Sequence, residues 1–142
     1  MSNPNYDPSK LASIRTYMMI AFIFNIIGMI AFVLGGIWEL FAYATFSSVF
    51  YGFGYFAGGL LVEGIILLVF FGLSLFVFFR VRRMYTAANH SDVATLKSLN
   101  NMMWAIIALI FAGVIPGIML LISFGPINEL GQSQTPPPPP PM

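Results

Sequence analysis

Three long apolar stretches constrain this chain more than any other feature of its sequence. They cover residues 16–37, 59–79 and 102–124. Because a membrane-crossing helix needs about 20 mainly apolar residues, each stretch is long enough to be a span. Only 8% of the residues are charged, against about 25% in soluble domains, which excludes an ordinary water-soluble or disordered chain. The sequence predicts an all-α integral membrane protein with three transmembrane helices in one domain, 9–130.

The first two stretches support this interpretation in detail. The 22-residue run Thr16–Ile37 is longer than the apolar core of a signal peptide, which has about 7–15 residues, so we expect it to be a retained span. In the second stretch, 16 of 21 residues are Leu, Ile, Val or Phe. Their summed insertion free energy of several kcal/mol offsets the one acid there, Glu63.

Basic residues are distributed unequally between the two sides that three spans would create. All six precede the first span or lie between the second and third: Lys10, Arg15, Arg80, Arg82, Arg83 and Lys97. The positive-inside rule then places the N-terminus and the 80–101 loop in the cytoplasm, and the C-terminus outside. The predicted location is the cell membrane, with several passes through the bilayer.

The 80–101 segment is predicted to be a cytoplasmic helical hairpin. Arg80, Arg82 and Arg83 follow the second span, where arginines contact anionic lipid headgroups. Ser91 is a candidate N-cap for a third helix that begins near Asp92.

The outer connection, 38–58, is unusually aromatic: nine of the residues from Trp38 to Phe56 are Phe, Tyr or Trp. Aromatic residues favour the membrane–water interface, which predicts a loop or short helix on the outer leaflet. The alternative is a fourth, short span, but it would separate the two basic segments onto opposite sides.

Two tails flank the domain. Residues 1–8 contain two prolines and are predicted to be mobile, and 131–142, which includes six consecutive prolines, is predicted to be disordered. A docking ligand for an aromatic groove is the alternative interpretation of the proline tract.

Two interior features concern helix packing. Pro116 lacks an N–H for the Ala112 carbonyl, which predicts a kink in the third span. Asn25 lies at a matching depth in the first span, so we expect its amide to donate to this carbonyl region and join the two spans. The alternative places Asn25 in a polar pathway.

Glu39 and Glu63 are the clearest chemical anomaly. Both lie near the outer boundary, where the chain has no Lys or Arg. Two close carboxylates resist ionising together, so the pair is a candidate site for a proton or a cation. The alternative is that they reach water or a missing partner subunit.

Catalysis and cofactor binding have no support in the sequence. Zero Cys and a single His exclude the usual Cys- and His-based metal sites within one chain, and no phosphate-binding or nucleophile motif occurs. His90, Ser91 and Asp92 are adjacent, which helix capping explains better than a catalytic triad. We therefore expect no catalytic, cofactor-binding or metal-binding residue, and six basic residues are too few for nucleic acid.

The stretch WAIIALIFAGVIPGIMLL at 104–121, followed by Glu129 and Leu130, resembles the last span of small multi-pass membrane proteins of prokaryotes, many of them archaeal. The resemblance covers about 30 residues and centres on Val-Ile-Pro-Gly-Ile. It implies a helical membrane protein and no particular activity.

The predicted function is that of an accessory or structural subunit in a larger membrane assembly, because the polar groups suit helix packing more than catalysis. The expected partners are the lipid bilayer and other membrane subunits or further copies of the chain. The alternative function is a small homo-oligomeric channel or transporter that uses Asn25, Glu39 and Glu63. Binding of lipid or a hydrophobic small molecule at the aromatic segment is a third possibility.

Overall fold

The computed structural model describes residues 7–49 and 54–130, and these residues form only helices and short connections. In chain order the helices are α1 (Pro8–Val49), α2 (Gly54–Asn89), α3 (Val93–Leu99), α4 (Met102–Phe111) and α5 (Val114–Glu129). The predicted all-α class is confirmed. The predicted proline-rich tail and residues 1–6 of the N-terminal tail lie outside the described residues.

The start of α1 follows directly from its sequence. The Asp7 carboxylate accepts hydrogen bonds from the backbone N–H of Ser9 at 2.9 Å and from its hydroxyl at 2.7 Å. Pro8 occupies the first helical position, where its missing N–H costs nothing. From this cap the helix continues for 42 residues, or about 63 Å.

Two helices, α1 and α2, are long and apolar enough to cross a membrane. They contain the predicted spans 16–37 and 59–79, each as one unbroken helix. A third candidate exists only if α3 and α4, which meet at a bend of 67°, are counted together as one span.

The outer connection was predicted wrongly. α1 continues as a helix to Val49 and α2 already begins at Gly54, so most of 38–58 belongs to the ends of the two long helices. The rings of Phe46 and Phe56 meet edge to face at 5.6 Å and hold these ends together. An unbroken apolar helix keeps every backbone hydrogen bond within itself, which a loop cannot do near lipid.

The predicted third span, 102–124, is two helices rather than one. α4 ends at Phe111, and Gly113 has a φ of +111°, a conformation that side chains rarely permit. The chain then turns back: the Asn100 amide, just before α4, donates to the Phe124 carbonyl and to Asn128 Oδ1, both at 2.9 Å. We call this antiparallel pair of α4 and α5 the hairpin.

The hairpin returns the chain to the end from which α1 begins. Lys10 Nζ lies 2.6 Å from Glu129 Oε2. The prediction that the chain after 124 lies on the side opposite the N-terminus is therefore wrong as far as Leu130. Counting apolar residues could not detect this, since two half-length helices and one full-length helix have the same composition.

The tip of the hairpin reaches the midpoint of α1. The Ala112 carbonyl oxygen lies 3.1 Å from the position that a Cβ would take on Gly28. The buried core is concentrated between this level and the end of the molecule that carries all six Lys and Arg residues, which we call the basic end. There α1, α2, α3 and α5 contribute residues such as Ile14, Val81, Leu96 and Ile127. Beyond the tip, α1 and α2 continue as a pair.

Topology makes a direct prediction, which the absence of cysteine makes simple to test. In sealed, uniformly oriented vesicles, Lys10→Cys and Glu129→Cys should react with an impermeant maleimide from the same side. Tyr55→Cys, at the fully exposed start of α2, should react only from the other side. If Glu129→Cys reacted from the same side as Tyr55→Cys, residues 102–124 would have to cross the membrane as a full third span.

Candidate functional site

The charged side chains lie at two levels, and on α2 the helix between them is apolar except for the buried Ser74. Glu63 and Arg80 are seventeen residues apart on α2, or about 26 Å along the axis, which is close to the thickness of a bilayer core. Exposed apolar side chains, among them Ile66, Val69 and Phe76, cover α2 between them. This arrangement suits a chain that presents polar groups near both boundaries of a membrane.

Asn25 lies inside the bundle and is fully buried. Its Nδ2 donates to the Ser74 hydroxyl of α2 at 3.1 Å, and its Oδ1 has no hydrogen-bond partner. The prediction that Asn25 donates to the Ala112 carbonyl is therefore wrong, because the Asn25 side chain points to α2 instead. Ala112 does come close to α1, but one helical turn further on, at Gly28.

Glu39 and Glu63 share one level but face different surroundings. A Cβ on Gly64 would lie 3.2 Å from the Cβ of Glu39, so Glu39 packs against α2 beside the Glu63 backbone. Glu39 is half-buried, with one carboxylate oxygen covered and unpartnered, whereas the Glu63 side chain is exposed. Within 7–49 and 54–130, neither carboxylate has a hydrogen bond or an ion pair.

Arg80 is engaged inside the protein. Its Nη2 donates to the Leu99 carbonyl at 2.6 Å, and its guanidinium lies 4.8 Å from the centre of the Trp104 ring. The side chain thereby satisfies the end of α3 and stacks on the start of α4, at the bend between them. Of the three arginines predicted to contact headgroups, Arg82 and Arg83 remain exposed.

The turn between α2 and α3 is held by Asp92 rather than by the expected cap, Ser91. Asp92 Oδ1 accepts from the Thr95 backbone N–H at 3.0 Å, while Ser91 adopts a positive φ of 55°. Hydrogen bonds from the Thr95 hydroxyl and backbone hold the pKa of Asp92 below its ordinary value, and the nearby His90 adds to this. Asp92 therefore stays charged at neutral pH.

Pro116 was expected to kink a single span. In the structure it lies in the first turn of α5, two residues after the helix begins, where a missing N–H is tolerated. The break in the chain is instead made by Gly113, three residues earlier.

Three residues that sequence reasoning missed have structural roles here. Ser74 accepts a hydrogen bond from Asn25, and the Trp104 ring stacks on the Arg80 guanidinium. Gly117 lies directly against the backbone of Leu109. The close contact at Gly117 could have been predicted from the sequence, because small residues four positions apart, such as Gly113 and Gly117, favour close helix packing in membranes. The other two depend on which helices are neighbours.

No family model, curated protein or solved structure matches this chain. The resemblance of 104–130 to small prokaryotic membrane proteins therefore stays a prediction. Among the described residues, no group of three or more His, Asp and Glu side chains could hold a metal ion.

Proposed function

We propose that this chain is a non-catalytic accessory subunit of a larger assembly in the cell membrane, with its basic end in the cytoplasm. The six basic residues at one end support this orientation under the positive-inside rule. The argument for the function comes from the outer half of the molecule, where α1 and α2 continue as a pair beyond the tip of the hairpin.

Glu39 carries the proposal. One of its carboxylate oxygens is covered and has no partner, and the chain has no Lys or Arg between Arg15 and Arg80 that could pair with it. A carboxylate held against apolar helix is costly unless a cation or a hydrogen-bond donor meets it. A partner subunit with a Lys or Arg at this level would supply that charge.

The neighbouring surface of α1 suits a partner helix. An open groove of about 570 Å³ lies beside Glu39, and its lining includes Gly35 between the large side chains of Leu34 and Trp38. Gly35 itself faces α2, since a Cβ on it would lie 3.3 Å from Leu67, so the surface offered to a partner helix consists of the large apolar side chains. Trp38 is 66% exposed, so an apolar partner would gain substantial buried area there.

The test is purification in mild detergent followed by native mass spectrometry. The expected result is an unrelated membrane protein at a fixed ratio, reduced at least about tenfold by Glu39→Gln, because the partner's cation would lose its counter-charge. Glu129→Gln is the matched control, since it removes the same charge at the other end. Equal co-purification with both variants would refute the proposal.

The alternative function, a homo-oligomeric channel or transporter, draws on two unpartnered buried oxygens, Asn25 Oδ1 and Glu39 Oε2. Fourteen residues, or about 21 Å of helix, separate these groups on α1, and the Trp38 indole is the one polar group among the side chains between them. A closed homo-oligomer with no other chain bound, and ion flux lost in Glu39→Gln, would favour this alternative.

A further inference from the structure

An open cleft of about 430 Å³ lies between the last turns of α2 and the start of α3. Arg82, Arg83 and Thr86 line it from α2, and Asp92 lies on the opposite wall. Neither arginine has a hydrogen bond or ion pair within the described part of the chain. Arg15, by contrast, donates to the Ala88 carbonyl at 3.3 Å. The cleft is thus lined by two arginine side chains that make no hydrogen bond or ion pair within the described residues.

The surface of α2 changes from apolar to charged at this cleft. Phe76 is 66% exposed and Phe79 is 57% exposed, and the next turn carries Arg82 and Arg83. Phe79 forms one edge of the cleft itself. A molecule that occupied both regions would need an anionic head and an apolar chain.

We infer that this cleft binds the phosphodiester of one anionic phospholipid, whose acyl chain lies along Phe76 and Phe79. The two guanidiniums supply planar, paired donors that match phosphate oxygens. Arg82, Arg83 and the charged Asp92 give the cleft a net charge of about +1 when His90, which also lines it, is counted as neutral. This charge suits a phosphodiester with one negative charge. The inference requires only that α1 and α2 span a bilayer, and it is independent of the proposed partner subunit.

The test measures which lipid stays bound. The protein is purified from mixed micelles containing equal amounts of phosphatidylglycerol and phosphatidylcholine, and retained lipid is counted by native mass spectrometry. Wild type should retain one phosphatidylglycerol in preference to phosphatidylcholine. The double variant Arg82→Gln/Arg83→Gln should lower this retention about 25-fold, since each basic group near a membrane surface contributes about a factor of five.

Two further variants separate a specific cleft from general charge attraction. Lys97→Gln removes one positive charge on α3 outside the cleft and should leave retention unchanged. Asp92→Asn keeps an N-cap side chain but removes the negative charge, so it should raise retention several-fold. A gain of binding cannot come from a misfolded protein, which makes this variant informative even if the double variant is unstable.

Three outcomes would overturn the inference. Equal retention by wild type and the double variant would remove the arginines from the site. An equal loss in Lys97→Gln would show diffuse attraction rather than a cleft. Displacement of the lipid by millimolar inorganic phosphate would assign the cleft to soluble anions instead.

Discussion

Replacing Gly117 by alanine should open the hairpin. A Cβ at this position would overlap the Leu109 Cα and lie 2.6 Å from the Leu109 backbone nitrogen, so α4 and α5 would have to move apart. Overpacking of this kind costs about 1–3 kcal/mol, and backbone atoms cannot rotate away as a side chain can. We expect a large fall in the detergent unfolding temperature of Gly117→Ala.

Gly125→Ala is the matched control, because Gly125 lies in the same helix with nothing within 4 Å of the added Cβ. This substitution should leave stability unchanged or raise it slightly, since alanine favours helix. A second measurement reports on the hairpin itself: a cysteine pair at Lys10 and Glu129 should cross-link less efficiently in Gly117→Ala than in the Gly125→Ala background. Equal unfolding temperatures for the two glycine variants would contradict the close packing.

The second large effect is expected at Arg80. Arg80→Gln removes the charged donor to the Leu99 carbonyl and the stacking on Trp104, and leaves a carbonyl at the helix bend without its partner. Charged hydrogen bonds are worth about 1.5–3 kcal/mol and a cation–π contact about 0.5–2. We expect a loss of about 2–3 kcal/mol in unfolding free energy.

Arg82→Gln removes the same charge from an exposed position two residues away and should change stability by less than about 0.5 kcal/mol. The comparison therefore separates the internal contacts of Arg80 from a general effect of positive charge. Arg80→Lys should recover little of the lost unfolding free energy. Lysine has no planar guanidinium that could lie on the Trp104 indole while it donates to the Leu99 carbonyl. Similar losses in Arg80→Gln and Arg82→Gln would contradict the assigned role.

The sequence predicts α1 and α2 well because their evidence is local. Each contains an apolar run of about the length of a span. Arg15 directly precedes the first run, and Arg80 directly follows the second. Unbroken helix beyond Trp38 was not predicted, because aromatic residues are equally compatible with a loop at the interface and with a helix end.

The hairpin was missed because its signals are pairwise. Asn100 was not recognised as a residue that holds α5 beside α4, and a kink at Pro116 was predicted in place of the chain reversal at Gly113. The partner of Asn25 was missed for a related reason. Matching depths between helices are easy to count, but choosing Ser74 over Ala112 requires knowing which way the side chain points.

The reach of the hairpin has a consequence for the lipid around this protein. With α1 and α2 across a bilayer, the leaflet at the basic end accommodates α4 and α5 as well, whereas the opposite leaflet accommodates two helices. Since each helix has a diameter of about 10 Å, the protein takes up roughly twice the area in one leaflet. Many such wedge-shaped molecules in one patch would bend the bilayer, with their basic ends on its convex side.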